Sequence, residues 1–390
     1  MLTITLKKSE ERRIRAGHLW IFSNEIEAID GKAEPGALAV VKSATGHFVG
    51  LGYHNRASLI ACRILTRHQD TIDEAFFSKR IKAALALRQA WYPGETAYRL
   101  VFSEGDFLPG FIADRYGDTV AVQTTTAGAE ELLPMFLEAL RRAVSPRVIV
   151  LRNDTSARAL EGLGSYVKVA HGELEGPLEA VIDGLRYKVD PLAGQKTGFY
   201  FDQRDNRALA ARLCEGKRVL DAYCYTGSWA LSAARAGAQA VTAVDSSGLA
   251  LALARENFLA NGLADRIEPL EKDVPAFLDK ARETGRSFDV VFLDPPPFAR
   301  TKKDLKEALV AYERINRKAL ELVPEGGYLV TSSCSYHVSA EDFVRTLARA
   351  AAATGRSVRM LELRGQSHDH PAVPAMPETR YLKCAVLQKV

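Results

Sequence analysis

The sequence lacks the long apolar runs of a membrane protein. No stretch of its 390 residues approaches the roughly 18–20 apolar residues that a helix needs to span a bilayer. No low-complexity tract is present, and the first ten residues carry charges where a secretion signal needs its apolar stretch. We therefore expect a cytoplasmic protein of two or three domains with no membrane contact.

Cysteine is scarce, and its spacing forms no metal or disulfide pattern. The five cysteines lie at positions 62, 214, 224, 334 and 384, without any C-x-x-C. This argues against a disulfide framework, a structural zinc and an iron–sulfur cluster. The segment S-H-D-H-P, residues 367–371, has too few ligands for a convincing metal site, so we expect no metal and favour a loop over the substrate pocket. Cys62, Cys214, Cys224 and Cys384 are predicted to pack in the interior.

Positive charge is concentrated near the N-terminus. Residues 1–67 hold ten Lys/Arg and six Asp/Glu, and the difference of +4 equals the net charge of the whole chain. Five of the ten lie in K-K-S-E-E-R-R-I-R, close to His18 and Trp20. The segment fits a surface that binds a polyanion, or a solvated charged face. His18 and Trp20 could face such a polyanion, although Trp20 also fits the core of a small barrel.

Three regions differ in their residue patterns. Residues 1–70 contain short alternating segments broken by Gly and Pro, which predict a small β-barrel or sheet. Residues 71–189 mix a helical pattern at 72–92, turn-rich strands and a second helix near 128–143, which predicts an α+β middle domain. In residues 190–390 strands and helices alternate, which predicts an α/β domain with a doubly wound parallel sheet. Ligands of such sheets bind at the carboxyl ends of the strands.

The α/β domain lacks a dinucleotide motif but has acids at three strand ends. The turn A-Y-C-Y-T-G-S after the first strand holds one glycine, Gly227, where a phosphate site needs G-x-G-x-x-G. Asp221 ends the first strand and could attract a cation. Asp245 ends the second, 24 residues later, where an acid commonly binds ribose hydroxyls. Asp273 follows the third strand and could meet an adenine edge. Ribose, adenine and a cation without phosphates describe S-adenosylmethionine, although strand-end acids can also be ordinary loop residues.

The fourth strand ends in F-L-D-P-P-P-F, residues 292–298. Asp294 and the prolines form a stiff, extended loop that offers carbonyl acceptors. Phe298 could stack on a flat base. Asp-Pro-Pro followed by an aromatic residue resembles the base-binding motif of class I nucleic-acid methyltransferases. In amino-group methylators of this class the motif holds the exocyclic amine, so that amine is one candidate target.

The fifth strand ends in T-S-S-C-S-Y, which places Cys334 beside the Asp-Pro-Pro loop. Carbon 5 of a pyrimidine is a poor nucleophile until a thiolate adds at carbon 6, and one cysteine in this position supplies that thiolate. Asp294 would then hold the nucleobase. The sequence does not identify the group that accepts the carbon-5 proton. Methylation of a base nitrogen, methylation of uracil at carbon 5, and a non-catalytic RNA-binding assembly factor are the alternatives.

Taken whole, the chain resembles the 23S ribosomal RNA cytosine-C5 methyltransferases that carry an N-terminal PUA domain. The most specific element is G-Q-K-T-G-F-Y-F-D-Q-R-D-N-R, residues 194–207, supported by D-P-P-P-F, S-C-S and the tail D-H-P…Y-L-K. The resemblance implies a PUA domain at 1–70, a middle domain at 71–189, and at 190–390 a Rossmann-like methyltransferase domain with a mostly parallel, seven-stranded sheet. It also implies ribosomal RNA as partner and suggests a homodimer.

The resemblance assigns roles by position. It implies Cys334 as nucleophile and Asp294 as base contact. The cofactor would be met by Phe199, Tyr200, Asp221, Tyr225, Thr226, Gly227, Asp245, Asp273 and Asp294. Pro295, Phe298, Lys196 and Arg204 are candidates for binding the substrate, although Lys196 and Arg204 equally fit a charged helix start at a domain boundary. Many members have Lys where this sequence has Pro297, so any role of that lysine is lost here.

Overall fold

The computed structural model describes residues 2–194, 197–299 and 301–390. They form two compact units. Unit 1 comprises Met1–Asp183, Val189–Phe201 and His368–Thr379, and unit 2 comprises Gly184–Lys188, Asp202–Ser367 and Arg380–Val390. None of the helices in these ranges is both long enough and apolar enough to cross a membrane.

Unit 1 begins with a six-stranded sheet. Its elements are β1 (Leu2–Leu6), α1 (Glu11–Arg15), β2 (Trp20–Ile21), β3 (Ile26–Asp30), β4 (Leu38–Lys42), β5 (Phe48–His54) and β6 (Cys62–Thr66). The strand order is β2-β6-β5-β4-β1-β3. Alternate residues of β1, namely Leu2, Ile4 and Leu6, are buried, as expected for a strand with one face on a core. The small N-terminal sheet predicted from the sequence is confirmed.

A second sheet of unit 1 packs against helices. The remaining elements of unit 1 that we label are α2 (Glu74–Trp91), β7 (Ala97–Phe102), β8 (Phe111–Tyr116), β9 (Thr119–Thr124), α3 (Ala127–Glu131), α4 (Leu133–Val144), β10 (Val148–Asn153), β11 (Tyr166–His171) and β12 (Leu178–Ile182). Five of the strands pair in the order β11-β10-β9-β8-β7. Asp73 caps α2 by accepting from the Phe76 N–H. Tyr53 of β5 belongs to the same core cluster as Phe111. The division at residues 70 and 189 therefore stays a proposal.

Unit 2 contains the alternating pattern. Its elements are β13 (Leu185–Val189), α5 (Arg204–Ala211), β14 (Arg218–Ala222), α6 (Ser228–Arg235), β15 (Ala240–Asp245), α7 (Gly248–Ala260), β16 (Ile267–Glu271), α8 (Val274–Glu283), β17 (Val290–Leu293), α9 (Leu305–Leu322), β18 (Tyr328–Ser333), α10 (Ala340–Ala353), β19 (Val358–Arg364) and β20 (Lys383–Lys389). Seven strands pair in the order β16-β15-β14-β17-β18-β20-β19, and β20 is antiparallel to both neighbours. The predicted mostly parallel, seven-stranded sheet is confirmed.

The register of this sheet brings the predicted motifs to one edge. Leu293 is level with Ala222 of β14 and with Thr331 of β18. The turn after β14, the Asp-Pro-Pro loop after β17 and the thiol-bearing turn after β18 therefore leave the sheet at its carboxyl edge. This is the edge at which open α/β sheets bind ligands.

The RNA-facing interpretation of His18 is wrong. His18 is 3% exposed, and its ring lies 2.8 Å from Arg13 Nη1 and 3.4 Å from Glu378 Oε2. Burial lowers the pKa of His18. Trp20 is half-buried against the core of the first sheet and donates from Nε1 to Glu104 Oε1 at 2.8 Å, so the core interpretation fits Trp20 better.

Candidate active site

The turn after β14 has a strained backbone. Tyr223, Tyr225 and Gly227 have φ angles of 68°, 48° and 80°. A non-glycine residue in this left-handed region costs about 1–3 kcal/mol and persists only where surrounding contacts impose it. Here the Tyr225 N–H donates to Asp245 Oδ2 at 2.9 Å, and a Cβ on Gly227 would lie 2.3 Å from the Phe258 ring. These contacts fix the shape of the turn at the carboxyl edge of the sheet.

Asp221 lies beneath this turn and is fully buried. Its Oδ2 accepts the Ala230 N–H at 2.8 Å, whereas its Oδ1 is buried without a hydrogen-bond partner among the described residues. Burial raises the pKa of Asp221 to about 8. A cationic or hydrogen-bonding ligand would stabilise the ionised form of this carboxyl, which fits the ammonium and sulfonium of S-adenosylmethionine.

Asp245 and Asp273 already accept hydrogen bonds from backbone N–H groups. Asp245 accepts the N–H groups of Tyr225 and Ser247, each at 2.9 Å, and each of its oxygens keeps a further lone pair for a ribose hydroxyl. Asp273 is exposed and caps α8 through the Ala276 N–H at 3.0 Å. The ribose and adenine contacts assigned to these acids stay predictions.

Thr226 completes the turn. Its side chain is 4% exposed, and its carbonyl accepts from Asn257 Nδ2 at 3.1 Å. This bond ties the turn to α7. The residues of unit 2 that hold this turn fit an adenosyl ligand that carries no phosphate.

The linker signature is placed only in part. Phe199 is buried in unit 1 with its ring 5.1 Å from that of Phe201, and Tyr200 is partly exposed. Lys196 lies outside the described residues. Arg204 begins α5 and is 1% exposed, which favours a role inside the domain over contact with RNA phosphates. The binding roles of all four residues stay predictions.

Asp294 is held by two donors. Gln203 Nε2 donates to its Oδ1 at 3.1 Å, and Trp229 Nε1 donates to its Oδ2 at 3.2 Å. Burial raises the pKa of Asp294 to about 6, with a further contribution from the Asp202 carboxylate, while the two donors oppose the rise. Asp294 is therefore mostly ionised at neutral pH but lies close to the point at which it can hold a proton.

Gln203 is a site residue that the sequence analysis did not identify. It is 3% exposed, donates to Ser332 Oγ at 2.9 Å as well as to Asp294, and accepts from Asn206 Nδ2 at 2.7 Å. It thereby joins the start of α5 to the ends of β17 and β18. The only sequence signal was its place in the D-Q-R of the linker signature.

Cys334 lies beside the Asp-Pro-Pro loop, as predicted. Its Sγ is 3.9 Å from the Pro295 carbonyl oxygen. It is partly exposed, whereas Cys62, Cys214, Cys224 and Cys384 are all buried as expected. Burial also raises the pKa of each of those four thiols. Since the other four cysteines are buried, Cys334 is the accessible thiol of the chain.

The residue after Cys334 ties the two loops together. Ser335 Oγ accepts the Ala299 N–H at 3.1 Å and lies 2.9 Å from the Tyr312 hydroxyl. Phe298 is half-buried with its ring 4.6 Å from that of Tyr312, so part of its surface is already used by the core. Pro295 is buried. The contacts of Pro295 and Phe298 with a base stay predictions.

Two residues of the S-H-D-H-P segment, Asp369 and His370, lie in the interior of unit 1. Both are buried, and His370 Nδ1 lies 2.8 Å from Asp369 Oδ1. Arg88 Nη2 donates to the Asp369 carbonyl at 2.7 Å. His368 stacks on Trp91 with 3.6 Å between ring centroids. Within the described ranges, no group of three or more His, Cys, Asp or Glu could hold a metal ion.

Fold and site together define a methyltransferase that uses S-adenosylmethionine. A family profile for a PUA-like domain matches residues 4–67, and a profile for an S-adenosylmethionine-dependent methyltransferase matches residues 163–382. A solved structure with the same fold, a proposed SAM-dependent methyltransferase from Streptococcus mutans, superposes with a TM-score of 0.84 at 22% identity, covering 100% of both chains.

Curated relatives match nearly the full length. The chain is 41% identical over 388 residues to Ribosomal RNA large subunit methyltransferase I from Shewanella frigidimarina (strain NCIMB 400), with 98% of both chains covered. It is 39% identical over 394 residues to the protein of the same name from Aeromonas hydrophila, with 99% of both covered. The chain belongs to this family of PUA-containing, S-adenosylmethionine-dependent methyltransferases.

Proposed function

We propose that this protein methylates carbon 5 of a cytosine in large-subunit ribosomal RNA through a covalent adduct with Cys334. The substrate class comes from the names of its relatives. The atom methylated is inferred from one observation: the accessible thiol of the chain lies 3.9 Å from the carbonyl of Pro295, the residue that follows Asp294.

The cofactor-side residues hold the methyl donor. When bound, S-adenosylmethionine supplies an electrophilic methyl group on a sulfonium. Asp221, Asp245 and the strained turn at Tyr223–Gly227 would hold the adenosyl and amino-acid parts at the carboxyl edge of the sheet. Asp273, Thr226, Phe199 and Tyr200 are proposed as further contacts.

Asp294 and Cys334 would act on a base flipped out of its stack. Ionised Asp294 accepts a hydrogen bond from the exocyclic amine of cytosine. Cys334 Sγ forms a bond to carbon 6, and the displaced π-electron pair makes carbon 5 nucleophilic. A proton taken up from solvent at ring nitrogen 3 lies between that nitrogen and the ionised Asp294 carboxylate, and the electron pair displaced from the ring neutralises the charge at nitrogen 3. Carbon 5 would then take up the donor's methyl group as the bond between that methyl group and the sulfonium breaks. A general base removes the carbon-5 proton, and the electron pair left behind expels the Cys334 sulfur from carbon 6, which restores the aromatic ring and the thiolate.

Product analysis tests this proposal. Large-subunit RNA from cells that lack this gene is incubated with the protein and S-adenosylmethionine, and its nucleosides are identified by mass spectrometry. We expect 5-methylcytidine from the wild type and none from Cys334→Ala. Cys214→Ala, which removes a buried thiol, should behave as wild type. An N-methylated base or 5-methyluridine, or full activity of Cys334→Ala, would contradict the proposal.

The N-terminal sheet is proposed to bind RNA nonspecifically. Lys8 and Arg12 are exposed and have no acidic partner among the described residues, so they are available to phosphates. A cytoplasmic location follows from the proposed substrate. The homodimer suggested by the family resemblance stays a prediction.

A further inference from the structure

Lys383 is a buried cation at the end of the strand that neighbours the thiol. It is the first residue of β20, and the antiparallel register places it opposite Ser333, the residue before Cys334. Its side chain reaches past Ser333, because Nζ donates to the Ser335 carbonyl at 2.7 Å and to the Tyr381 carbonyl at 2.9 Å. The ammonium therefore binds the backbone on the far side of Cys334.

This ammonium is not neutralised by an acid. Lys383 is 7% exposed, and no carboxylate of the described chain forms an ion pair with it. Its two acceptors among the described residues are neutral carbonyls, which leave one of three N–H donors for another group. A buried charge without a countercharge is costly, so proteins retain one mainly where it has a function.

The charge of Cys334 acts on Lys383. Burial lowers the pKa of Lys383 to about 8, and a thiolate at Cys334 opposes that change. Electrostatic coupling between two titrating groups is mutual, so the ammonium must favour the thiolate as the thiolate favours the ammonium. Tyr312 on α9 also interacts with Cys334, and Asp294 lies in the adjacent loop; ionisation of either would act against the thiolate.

We propose that Lys383 is a positioning residue that stabilises the thiolate of Cys334 and fixes its turn through the Ser335 carbonyl. The proposal rests on the proposed function, since it supplies the assistance that a thiol nucleophile needs. An ordinary thiol, with a pKa of about 8.5, is only a few per cent ionised at pH 7. Lowering that pKa by one unit raises the thiolate fraction nearly tenfold.

The test measures thiol ionisation without RNA. The full-length protein is alkylated with iodoacetamide from pH 5.5 to 10, and modification of Cys334 is followed by peptide mass spectrometry. For the wild type we expect an apparent thiol pKa below 8. For Lys383→Met we expect it to rise by at least one unit, with roughly tenfold slower alkylation at pH 7. Lys383→Arg keeps the charge and should restore most of the wild-type pKa.

Lys389→Met is the matched control. Lys389 lies at the other end of β20, and its Nζ also donates to two carbonyls, of Leu320 at 3.0 Å and Val323 at 2.6 Å. Six residues of strand separate it from Lys383 by about 20 Å, so it should leave the Cys334 titration unchanged.

The outcomes separate this inference from the proposed function. A wild-type thiol pKa of 8 or above overturns the inference even if Lys383→Met fails to fold, and so does an unchanged titration in a folded Lys383→Met. If the titration shifts as expected but the wild type forms no 5-methylcytidine, the Lys383–Cys334 coupling is supported and the proposed function fails. If 5-methylcytidine forms while the thiol titration is unaffected, the proposed function holds and the inference fails.

Discussion

Gln203→Leu should raise the pKa of Asp294 and shift the acid limb of methyl transfer to higher pH. The Gln203 N–H at 3.1 Å favours the ionised carboxylate, so its removal favours the protonated form. A hydrogen bond to a charged group contributes about 1.5–3 kcal/mol, and 1.36 kcal/mol corresponds to one pKa unit. We therefore expect the apparent pKa of the acid limb to move from about 6 to about 7 or above.

The assay is the pH dependence of kcat/KM between pH 5 and 9. If the pKa of Asp294 in the variant is about 7, half of this carboxyl is protonated at pH 7. The change in protonation alone should therefore lower kcat/KM about twofold at pH 7 and very little at pH 9. Any loss that persists at pH 9 measures misorientation of the carboxylate. The control is Gln388→Leu, which removes a glutamine of β20 whose Nε2 donates to the Tyr328 hydroxyl at 3.4 Å. An acid limb unchanged in Gln203→Leu would refute the role given to Gln203.

Two further predictions concern the cofactor turn and RNA binding. Gly227→Ala should destabilise the fold by about 2–4 kcal/mol in urea unfolding and weaken S-adenosylmethionine binding in calorimetry, since φ is 80° and the new Cβ meets Phe258. Replacing Lys8 and Arg12 together by alanine should lower the slope of log affinity against log salt by about 1.4 for single-stranded RNA, if both contact phosphates.

Each of these predictions has a control. Gly216→Ala has φ 66° but nothing within 4 Å of the added Cβ, so it should cost only about 1–2 kcal/mol and leave cofactor binding intact. Lys280 and Arg282 on α8 provide an exposed basic pair on the other unit, and their replacement should not change the salt slope. Equal effects of the two glycine variants, or of the two basic pairs, would contradict the respective predictions.

The sequence predicted the elements of unit 2 because each depends on local pattern. Apolar strands that alternate with amphipathic helices can be recognised from patterns about ten to twenty residues long. The parallel arrangement of the strands then follows from the right-handed connection of βαβ units. The position of Cys334 beside the Asp-Pro-Pro loop followed in the same way, since both come directly after buried strands that lie side by side.

The supporting residues could not be predicted because they depend on long-range packing. Gln203 meets Asp294 across 91 residues of sequence, and Lys383 meets the Ser335 carbonyl across 48. No periodicity encodes either contact. The prediction that His18 could face RNA was wrong for a related reason. A histidine close to several arginines in the sequence suggests a surface residue, but here Arg13 and Glu378 cover its ring.

The most direct test of the thiol chemistry uses RNA that carries 5-fluorocytidine at the methylated position. Fluorine takes the place of the carbon-5 proton and cannot be removed by a base. The bond between Cys334 Sγ and carbon 6 should therefore persist. After incubation with the protein and S-adenosylmethionine, protease digestion and mass spectrometry should locate the nucleotide on the peptide that contains Cys334. A methylated product without any such adduct, or an adduct on another residue, would contradict the account.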